Sequence, residues 1–422
     1  MSSSAADSQF APVRDFYLAR QPILDRDQRL FGYEMLFRGA AYGPADIDSD
    51  IGATASVIAH AAHLGLEKVI GEAHGFLNVD AEVIMSDIFL FLPREKVVLE
   101  IVDGMPVTPA IVARIAELAG HGFRFALGDV ASDDLGVQML LPMVEFIKLD
   151  LRATLQPAFA RLAANFRQLG KKLVAVKVET RDQYQACMAL GFDYFQGDYF
   201  ARPAVMSGRR LSPSQLAVIE LMALVTSDAG NADVERAVKR DATLALNLLR
   251  LVNTPALGTG YRIDSLSQAM MVLGRRQLQR WLQIMLYAQP ARGRSMTPLL
   301  MLATTRGRML ELLAQRVRPD QRNVADVAFT VGIMSLMDTL FGMPMTDILT
   351  QIPVSDEVSA ALLHRTGFFG ELLHLAECIE RMEEMEDQVA PALSHLAISA
   401  NQLAELEVAA FAWSDTVVRY AI

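Results

Sequence analysis

The segment Phe125-Ala126-Leu127-Gly128-Asp129-Val130 is a short apolar run that ends at a single carboxylate. Similar runs, rich in β-branched and aromatic residues, recur between residues 16 and 203 and alternate with stretches of helical periodicity. This alternation is typical of β/α units that form a parallel sheet. Eight such units indicate a closed, TIM-like β/α barrel. The predicted strands are Phe16–Leu24, Gly32–Phe37, Gly75–Val79, Val97–Ile101, Phe123–Leu127, Phe146–Leu149, Leu173–Val178 and Tyr194–Phe195, and the helices between them include Ile51–Leu66, Pro109–Ala119 and Leu155–Leu169.

After Pro203 the strand pattern stops, and the rest of the chain has helical periodicity. Ser212-Pro213 is a typical helix start. We therefore predict a disordered lead at residues 1–14, a barrel over 15–205, a linker over 206–213 and an all-α domain over 214–422. The helices predicted in the second domain are Gln215–Val225, Leu244–Val252, Leu266–Leu286, Leu299–Arg316, Val324–Leu340, Glu357–Leu363, Phe369–Met385 and Leu393–Tyr420, with Met270, Met271, Met334 and Met337 in its core.

The composition limits the classes of function expected for this chain. The chain has 422 residues, 52% of them hydrophobic, which is enough for two cores. A net charge of −10 gives no electrostatic footprint for nucleic acid, so no direct nucleic-acid partner is expected. Cys187 and Cys378 are far apart and predicted to be packing residues, which favours a reducing, cytoplasmic location. The uncharged stretch between Asp326 and Asp338 is shorter than the roughly 20 residues of a membrane span, and none is predicted.

Polar side chains lie in or directly after most of the predicted strands. In a β/α barrel the carboxyl ends of the strands meet on one face, so these side chains form one candidate site. Carboxylate and amide oxygens suit Mg²⁺ or Mn²⁺, and a lysine beside them suits a phosphate or an attacking water. Solvated strand ends would also carry polar residues, so any one of them alone indicates little. The polar residues of this candidate site are Glu34, Asn78, Glu100, Asp129, Lys148, Glu179 and Gln196.

These motifs resemble those of the EAL-type cyclic-di-GMP phosphodiesterases, specifically the two-domain proteins in which an EAL barrel precedes an HDOD domain. Gly32-Tyr33-Glu34-Met35-Leu36-Phe37-Arg38 is similar to the segment that carries the family's Glu-Ala-Leu, with Met35 replacing Ala. The other matching segments, in the family's order around it, are Gln21-Pro22-Ile23, Phe76-Leu77-Asn78-Val79, Leu99-Glu100-Ile101, Phe146-Ile147-Lys148-Leu149-Asp150, Val178-Glu179-Thr180 and Phe195-Gln196-Gly197 followed by Pro203.

The resemblance implies a role for each matched residue. Glu34, Asn78, Glu100 and Asp129 fall on metal-ligand positions, Lys148 and Glu179 on catalytic-site positions, and Gln21, Arg38 and Gln196 on groups that touch the dinucleotide.

Two departures from the family pattern are specific. Gly128-Asp129 stands where the family has paired aspartates, and Ala175-Val176-Lys177-Val178-Glu179 stands where it has Ala-Glu-Gly-Val-Glu. The first change removes a metal-bridging carboxylate and the second removes the expected general base, which typically contributes about 10²–10⁴ in rate. The loop Val130–Gly136 also lacks the family's Phe-Gly-Thr-Gly run. We therefore predict a degenerate, vestigial site that holds no cofactor.

The helical half resembles an HDOD domain. The matching segments are Arg240–Pro255, Ile263–Leu266 and Ala269–Gly274. Related HD phosphohydrolases hold metal with histidines and a His-Asp pair, but no His-Asp dipeptide occurs in this chain. The corresponding segment, Gly332–Asp338, is apolar with one acid, and His364, His374 and His395 are predicted to have no clustered carboxylate partners.

Three functions remain open at this stage. The leading hypothesis is a bacterial signalling protein whose degenerate EAL barrel acts through contacts with other signalling proteins. The second is a working phosphodiesterase that uses Mg²⁺ or Mn²⁺ and recruits Asp133 or Asp134 as a substitute ligand. The third is a receptor that binds cyclic-di-GMP through Gln21 and Arg38 without cleaving it.

Overall fold

The computed structural model describes residues 16–39, 66–87, 90, 92–152, 156–197, 199, 213–226, 230–240, 242–253, 263–287, 297–352 and 354–421. The predicted lead, the predicted linker apart from Pro213, and the helix predicted at residues 51–66 apart from Leu66 lie outside these described residues.

The described part of the N-terminal half contains eight strands that close into a barrel in the order β1 to β8, as predicted. β1 runs antiparallel to both β2 and β8, and the other neighbouring strands are parallel. The strands are β1 (Phe16–Asp25), β2 (Leu30–Gly39), β3 (His74–Val79), β4 (Val97–Ile101), β5 (Arg124–Leu127), β6 (Phe146–Asp150), β7 (Lys172–Val176) and β8 (Tyr194–Phe195).

The bounds of β4 and β8 equal the predicted ones, and the ends of the other strands differ from the prediction by at most two residues. One of these differences has a clear cause. β7 was predicted to continue to Val178, but it ends at Val176. The next residue, Lys177, has a φ of 58°, which lies in the left-handed region that breaks an extended strand. This turn redirects the chain at the barrel mouth.

The barrel interior is an apolar layer with a polar layer above it. Side chains alternate between the two faces of a strand, so residues two positions apart point the same way. Phe76, Val98 and Phe146 belong to the buried inner cluster, and Asn78, Glu100 and Lys148 follow each of them by two residues. The alternation therefore places the polar residues of three strands in one layer at the mouth.

The barrel strands are followed by short amphipathic helices. α6 begins with a capping box in which the Thr180 hydroxyl accepts from the Gln183 backbone N–H and the Gln183 side chain accepts from the Thr180 backbone N–H. The described helices of this half are α1 (Leu66–Ile70), α2 (Ala81–Met85), α3 (Pro109–Gly120), α4 (Leu135–Leu140), α5 (Gln156–Gln168) and α6 (Arg181–Leu190).

The second half is helical throughout its described residues, which confirms the predicted all-α class. The helices are α7 (Pro213–Thr226), α8 (Asn231–Val238), α9 (Ala242–Val252), α10 (Leu266–Tyr287), α11 (Pro298–Val317), α12 (Arg322–Met334), α13 (Met337–Phe341), α14 (Met345–Gln351), α15 (Asp356–His364), α16 (Gly367–Glu380), α17 (Met382–Leu396) and α18 (Ala400–Ala421).

Three predicted helices are divided into separate helices in the structure, and a fourth, Leu266–Leu286, is interrupted within α10 at Gly274, where φ is 68° and ψ is 167°. The helix predicted at Val324–Leu340 breaks after Met334, where the Ser335 hydroxyl donates to the Gly332 carbonyl and also accepts from Arg306. Phe369–Met385 crosses the end of α16, and Leu393–Tyr420 crosses Ala397, whose φ of 54° ends α17. Apolar periodicity continues across these breaks because both flanking helices face the same core.

Two side-chain predictions for the helical half have different outcomes. Met270, Met334 and Met337 are buried as predicted, but Met271 is 70% exposed, so its assignment to the core is wrong. It lies on the outer face of α10, one helical position beyond Met270. Both cysteines are buried and free, as predicted.

One apolar segment, Asn323–Phe341, has the length and composition of a membrane span. The sequence analysis predicted no span here, because it considered only the shorter uncharged stretch between Asp326 and Asp338. It comprises α12 and α13, and 67% of its residues are buried inside the protein. Core helices of folded domains share this composition.

Candidate functional site at the barrel mouth

Lys148 lies at the centre of the mouth and is almost fully buried. Its ammonium lies 2.7 Å from Oε2 of Glu34 and 2.5 Å from Oε2 of Glu100, so one lysine bridges carboxylates from β2 and β4. Burial alone would lower the pKa of Lys148, but the two carboxylates outweigh burial and raise it. Lys148 is therefore a permanent cation within the site.

Glu34 receives hydrogen bonds from several sides. Besides Lys148, its carboxylate accepts from Gln196 Nε2 at 2.6 Å and from Asn78 Nδ2 at 3.4 Å, and Gln196 also donates to the Gln21 side chain. Burial favours the neutral acid, but the Lys148 ammonium and these hydrogen bonds hold the pKa of Glu34 below its ordinary value. The four predicted residues Gln21, Glu34, Asn78 and Gln196 therefore form one connected network.

Glu100 occupies the space beside Gly128. A Cβ added to Gly128 would lie 2.8 Å from Oε1 of Glu100, closer than real Cβ contacts allow. The carboxyl of Glu100 is buried, and desolvation raises its pKa, although the Lys148 ammonium opposes the rise. The missing side chain at residue 128 is thus replaced in space by the carboxyl of its neighbour on β4.

A second lysine, Lys177, reaches the acids at the ends of β5 and β6. Its ammonium lies 2.6 Å from Oδ2 of Asp150. Burial opposes the charge of Lys177, yet the hydrogen bond to Asp150 and the nearby charge of Asp129 raise its pKa. Partial desolvation raises the pKa of Asp129, and the Lys177 ammonium opposes that rise. Two lysines, Lys148 and Lys177, therefore provide positive charge near all four acids of the mouth, which are Glu34, Glu100, Asp129 and Asp150.

Sequence reasoning gave no role to Lys177 or Asp150. Lys177 stands where the resemblance expects glycine, and its left-handed backbone conformation is one that glycine adopts without strain. A lysine at a position that demands positive φ was the signal that could have identified it.

The remaining predicted residues lie apart from this network. Val176 is 4% exposed and belongs to the apolar inner cluster, so the dry layer of the barrel extends to the expected base position. Glu179 is exposed and pairs with Arg152 at 3.4 Å. The side chain of Arg38 lies outside the described residues, although its backbone belongs to β2.

Asp133 and Asp134 are engaged away from the mouth. Asp133 Oδ2 accepts from Asn165 Nδ2 at 2.6 Å, which ties it to α5. Asp134 caps α4 by accepting from the Val137 N–H at 3.0 Å, and this hydrogen bond lowers the pKa of Asp134. The acids paired with Lys148 are Glu34 and Glu100 instead.

The grouping of the mouth carboxylates decides whether they fit divalent ions. Across the part of the chain that the structure describes, no three His, Cys, Asp or Glu side chains are placed to hold a metal ion. Gly128 stands where the resemblance expects a bridging carboxylate, and the carboxylates of Glu34, Glu100 and Asp150 are paired with ammonium groups. These residues, as placed, do not fit a pair of ions.

One histidine of the helical half lies beside a carboxylate. His395 Nε2 lies 3.4 Å from Oε2 of Glu371, and both side chains line a cleft between α16 and α17 together with His374 and Asp387. His395 therefore has one carboxylate partner at the surface, while among the described residues no group of three His, Cys, Asp or Glu side chains is placed to hold a metal ion, in line with the prediction of no clustered carboxylates. The packing of α17 against α16 brings residues 24 positions apart into contact, which no local pattern shows.

Two family models match the chain in succession. The EAL domain model matches residues 9–203 and the HDOD domain model matches residues 212–346. The chain is an EAL–HDOD protein. The two matches leave α15 to α18 beyond the HDOD segment, and the barrel and the first helices of the second half are the EAL and HDOD domains, respectively.

Curated relatives share most of the length of this EAL–HDOD chain. Cyclic di-GMP phosphodiesterase CdgJ of Vibrio cholerae is 29% identical over 375 residues, which is 87% of this chain and 85% of the relative. YuxH of Bacillus subtilis is 28% identical over 373 residues, which is 86% of this chain and 90% of the relative.

Solved structures match more distantly. The match to the Bacillus subtilis YkuI protein, solved with c-di-GMP and calcium, covers 64% of this chain and 73% of the YkuI chain, with 18% identity and a TM-score of 0.38. The Klebsiella pneumoniae BlrP1 manganese and c-di-GMP complex covers 45% and 56% at 21% identity and a TM-score of 0.35.

Proposed function

We propose that this EAL domain is a regulatory module that does not hydrolyse cyclic-di-GMP and that acts through contacts with other signalling proteins. The observation that carries the proposal is the pairing of mouth carboxylates with lysines: Lys148 with Glu34 and Glu100, and Lys177 with Asp150. These ammonium groups supply the positive charge that divalent ions would otherwise bring to the carboxylates.

Energetics support the absence of a two-ion centre. A second ion needs a bridging carboxylate, and Gly128 offers none. An ion that entered would have to displace Lys148 from two buried carboxylates, and separating a buried pair typically costs about 3–5 kcal/mol. A metal that gains fewer than its full set of oxygen ligands recovers little of that cost.

The position of the general base supports the same conclusion. Val176 packs into the apolar inner cluster, so no proton acceptor projects from the end of β7 into the mouth. Lys148 and Glu179 are in this proposal vestiges of the catalytic set, and Glu34, Asn78, Glu100 and Asp129 are vestiges of the ligand set.

A protein-contact role fits the outer surface. Leu135 on α4, Leu246 on α9 and Met271 on α10 are large apolar side chains that are at least 50% exposed. Exposed apolar side chains of this kind are available for contacts with a partner protein. The free thiols Cys187 and Cys378 support a reducing compartment, which we propose is the cytoplasm.

The test is hydrolysis of cyclic-di-GMP by the full chain with Mn²⁺ or Mg²⁺, alongside an EAL phosphodiesterase that has the intact Asp-Asp and Glu motifs. We expect no turnover above that of the Lys148→Met variant. Turnover comparable to the intact enzyme, and lost on the Lys148 substitution, contradicts the proposal.

A second candidate function is a phosphodiesterase. The relative CdgJ is named as a cyclic di-GMP phosphodiesterase. In addition, Asn78 Oδ1 beside Glu34 is a buried oxygen without a hydrogen-bond partner, and such an oxygen would suit one Mg²⁺ or Mn²⁺. Titration with Mn²⁺ in a calorimeter separates the candidates, because the regulatory module should give no heat at millimolar metal.

A third candidate is a receptor that binds cyclic-di-GMP without cleaving it. Gln21 and Gln196 are present at the mouth, but both are engaged with each other or with Glu34. Calorimetry with the dinucleotide tests it directly: heat of binding without hydrolysis favours the receptor, and no heat at high protein concentration excludes it.

A further inference from the structure

The strand β1 carries different partners on its two faces. The side chain of Gln21 points into the barrel and accepts from Gln196 at the mouth. The preceding residue, Arg20, points out of the barrel and is enclosed by the C-terminal helices. Because successive side chains alternate, the mouth and the outer contact are one residue apart on the same strand.

Arg20 is held by contacts from both halves of the chain. Its guanidinium lies 4.1 Å from the ring centre of Tyr33 on β2 and 3.9 Å from that of Phe411 on α18. It also lies 3.4 Å from Oδ1 of Asp415 and donates to the Val69 carbonyl of α1. Only 4% of the Arg20 side chain is exposed, so this is a desolvated cation with one acidic partner on α18.

The helix α18 connects this contact to the helical half. The Ser414 hydroxyl lies 2.6 Å from that of Thr304 on α11, and both are buried. Glu407, one turn before Phe411, is also buried, and its pKa is raised well above the ordinary value by desolvation. The helix is therefore enclosed on one side by β1 and on the other by α11, and it lies beyond the HDOD match.

We propose that α18 couples the barrel mouth to the helical half through Arg20, so that a change at Gln21 and Glu34 alters the packing of α18, and the reverse. Tyr33 and Glu34 are adjacent on β2 as Arg20 and Gln21 are on β1, and the register pairs Arg20 with Met35 and Gln21 with Glu34. A shift of either strand at the mouth therefore moves the two groups that stack on or carry the guanidinium.

The coupling has a physical basis in the cost of a half-broken buried pair. If Asp415 or Phe411 moves away, the Arg20 charge stays buried without its acid or its stacking partner, which is strongly unfavourable. The strands and helix are therefore expected to change arrangement together. This coupling is independent of whether the barrel binds metal or nucleotide, so it does not depend on the proposed function.

Hydrogen exchange of the full chain, followed by mass spectrometry, tests the coupling in both directions. Asp415→Asn and Phe411→Leu alter α18, and exchange is read at the amides of β1 and β2. We expect exchange there to increase by about tenfold or more, because the strands lose a buried partner that closes them. Phe411→Leu retains an apolar side chain and keeps the test valid if Asp415→Asn fails to fold.

The reverse experiment uses Glu34→Gln, which removes one of the two negative partners of Lys148 at the mouth, and exchange is read along α18. Glu405→Gln, an exposed change on the same helix, is the matched control and should leave β1 and β2 unchanged. Faster exchange of α18 in Glu34→Gln, and of β1 and β2 in the α18 variants, supports the proposal. Changes confined to the mutated half in either direction overturn it.

Discussion

At the scale of single residues, the proposal that this mouth holds no pair of ions rests on three positions. Residue 128 is a glycine and offers no carboxylate, residue 176 is a valine and cannot act as the expected general base, and Lys177 places an ammonium beside Asp150. The sequence comparison identified the first two changes. Because of the third change, an experiment that aims to restore metal binding must also replace Lys177.

We predict that Gly128→Asp with Val176→Glu gains little Mn²⁺ binding, whereas the triple variant that adds Lys177→Gly gains measurable binding. Glycine removes the competing ammonium and adopts the left-handed backbone without the strain of a Cβ, which is about 1 kcal/mol. Calorimetric titration with Mn²⁺ measures the difference.

The control for this series is Gly128→Ala with Val176→Glu and Lys177→Gly, which adds the same Cβ near Glu100 without a carboxylate. Equal Mn²⁺ affinity in the double and triple variants would show that Lys177 does not compete with metal. Binding in the alanine control would show that residue 128 supplies no ligand.

A second residue-scale prediction concerns Glu407, whose buried carboxyl has a raised pKa. Above the ordinary pKa of a glutamate the unfolded chain has lost this proton while the folded chain keeps it up to its raised pKa, so the free energy of unfolding falls as pH rises through that range, by at most about 1.4 kcal/mol per pH unit. Glu407→Gln removes that proton release.

The unfolding free energy of Glu407→Gln should therefore exceed that of the unmutated protein by more at pH 8 than at pH 5. Urea denaturation at both pH values measures this, and Glu405→Gln on the exposed face of the same helix is the control. A difference that stays constant with pH would mean that Glu407 is ionised in the folded protein.

The site was predictable where it follows from strand alternation and not where it follows from loop geometry. Period two places Glu34, Asn78 and Glu100 on the same barrel layer, and the structure brings all three to Lys148 or its partners. The Lys177–Asp150 pair depends on a left-handed turn after β7. The local sequence does not reveal where such a turn directs a long side chain.

At the scale of elements, helix breaks were the least predictable feature. α12 and α13 read as one helix because apolar residues continue through the break, which Ser335 and Arg306 stabilise by tertiary hydrogen bonds. The barrel elements were more predictable, since each strand is bounded by turn residues and has its own apolar core positions.

The contact between α11 and α12 gives a prediction at this scale. A Cβ on Gly332 would lie 2.7 Å from the Gly307 Cα and 2.8 Å from the Arg306 carbonyl, and backbone atoms of a helix cannot easily withdraw. We expect Gly332→Ala to lower the free energy of unfolding by about 1–3 kcal/mol through overpacking, measured by urea denaturation.

Gly120→Ala is the matched control, because nothing lies within 4 Å of a Cβ at Gly120 at the end of α3. It should leave stability unchanged or raise it slightly through the lower entropy of the unfolded chain. Equal effects of the two substitutions would show that α11 and α12 are not in close backbone contact.

At the scale of the whole molecule, the two halves share α18. The helix packs on β1 and α1 of the barrel and on α11 of the helical half, so the interface is part of the core of both. Two domains joined by a buried apolar interface are expected to unfold together. The placement of both tryptophans allows a direct test.

Trp281 and Trp413, the two tryptophans of the chain, lie on α10 and α18 in the helical half. Tryptophan fluorescence therefore reports unfolding of that half, whereas far-ultraviolet circular dichroism reports both. We predict that the two denaturation curves coincide in the unmutated protein. They should separate in Phe411→Ala, because this change removes the ring between Arg20 and α18 and typically costs about 3–5 kcal/mol.

Phe368→Ala is the matched control for this last prediction. Phe368 is a partly buried ring that stacks on Arg318 at 3.7 Å within the helical half. Its loss should lower the midpoint of unfolding while the fluorescence and dichroism curves still coincide, because β1 keeps its contacts with α18. Curves that are already separate in the unmutated protein, or that separate equally in both variants, would show that α18 does not join the two halves into one folding unit.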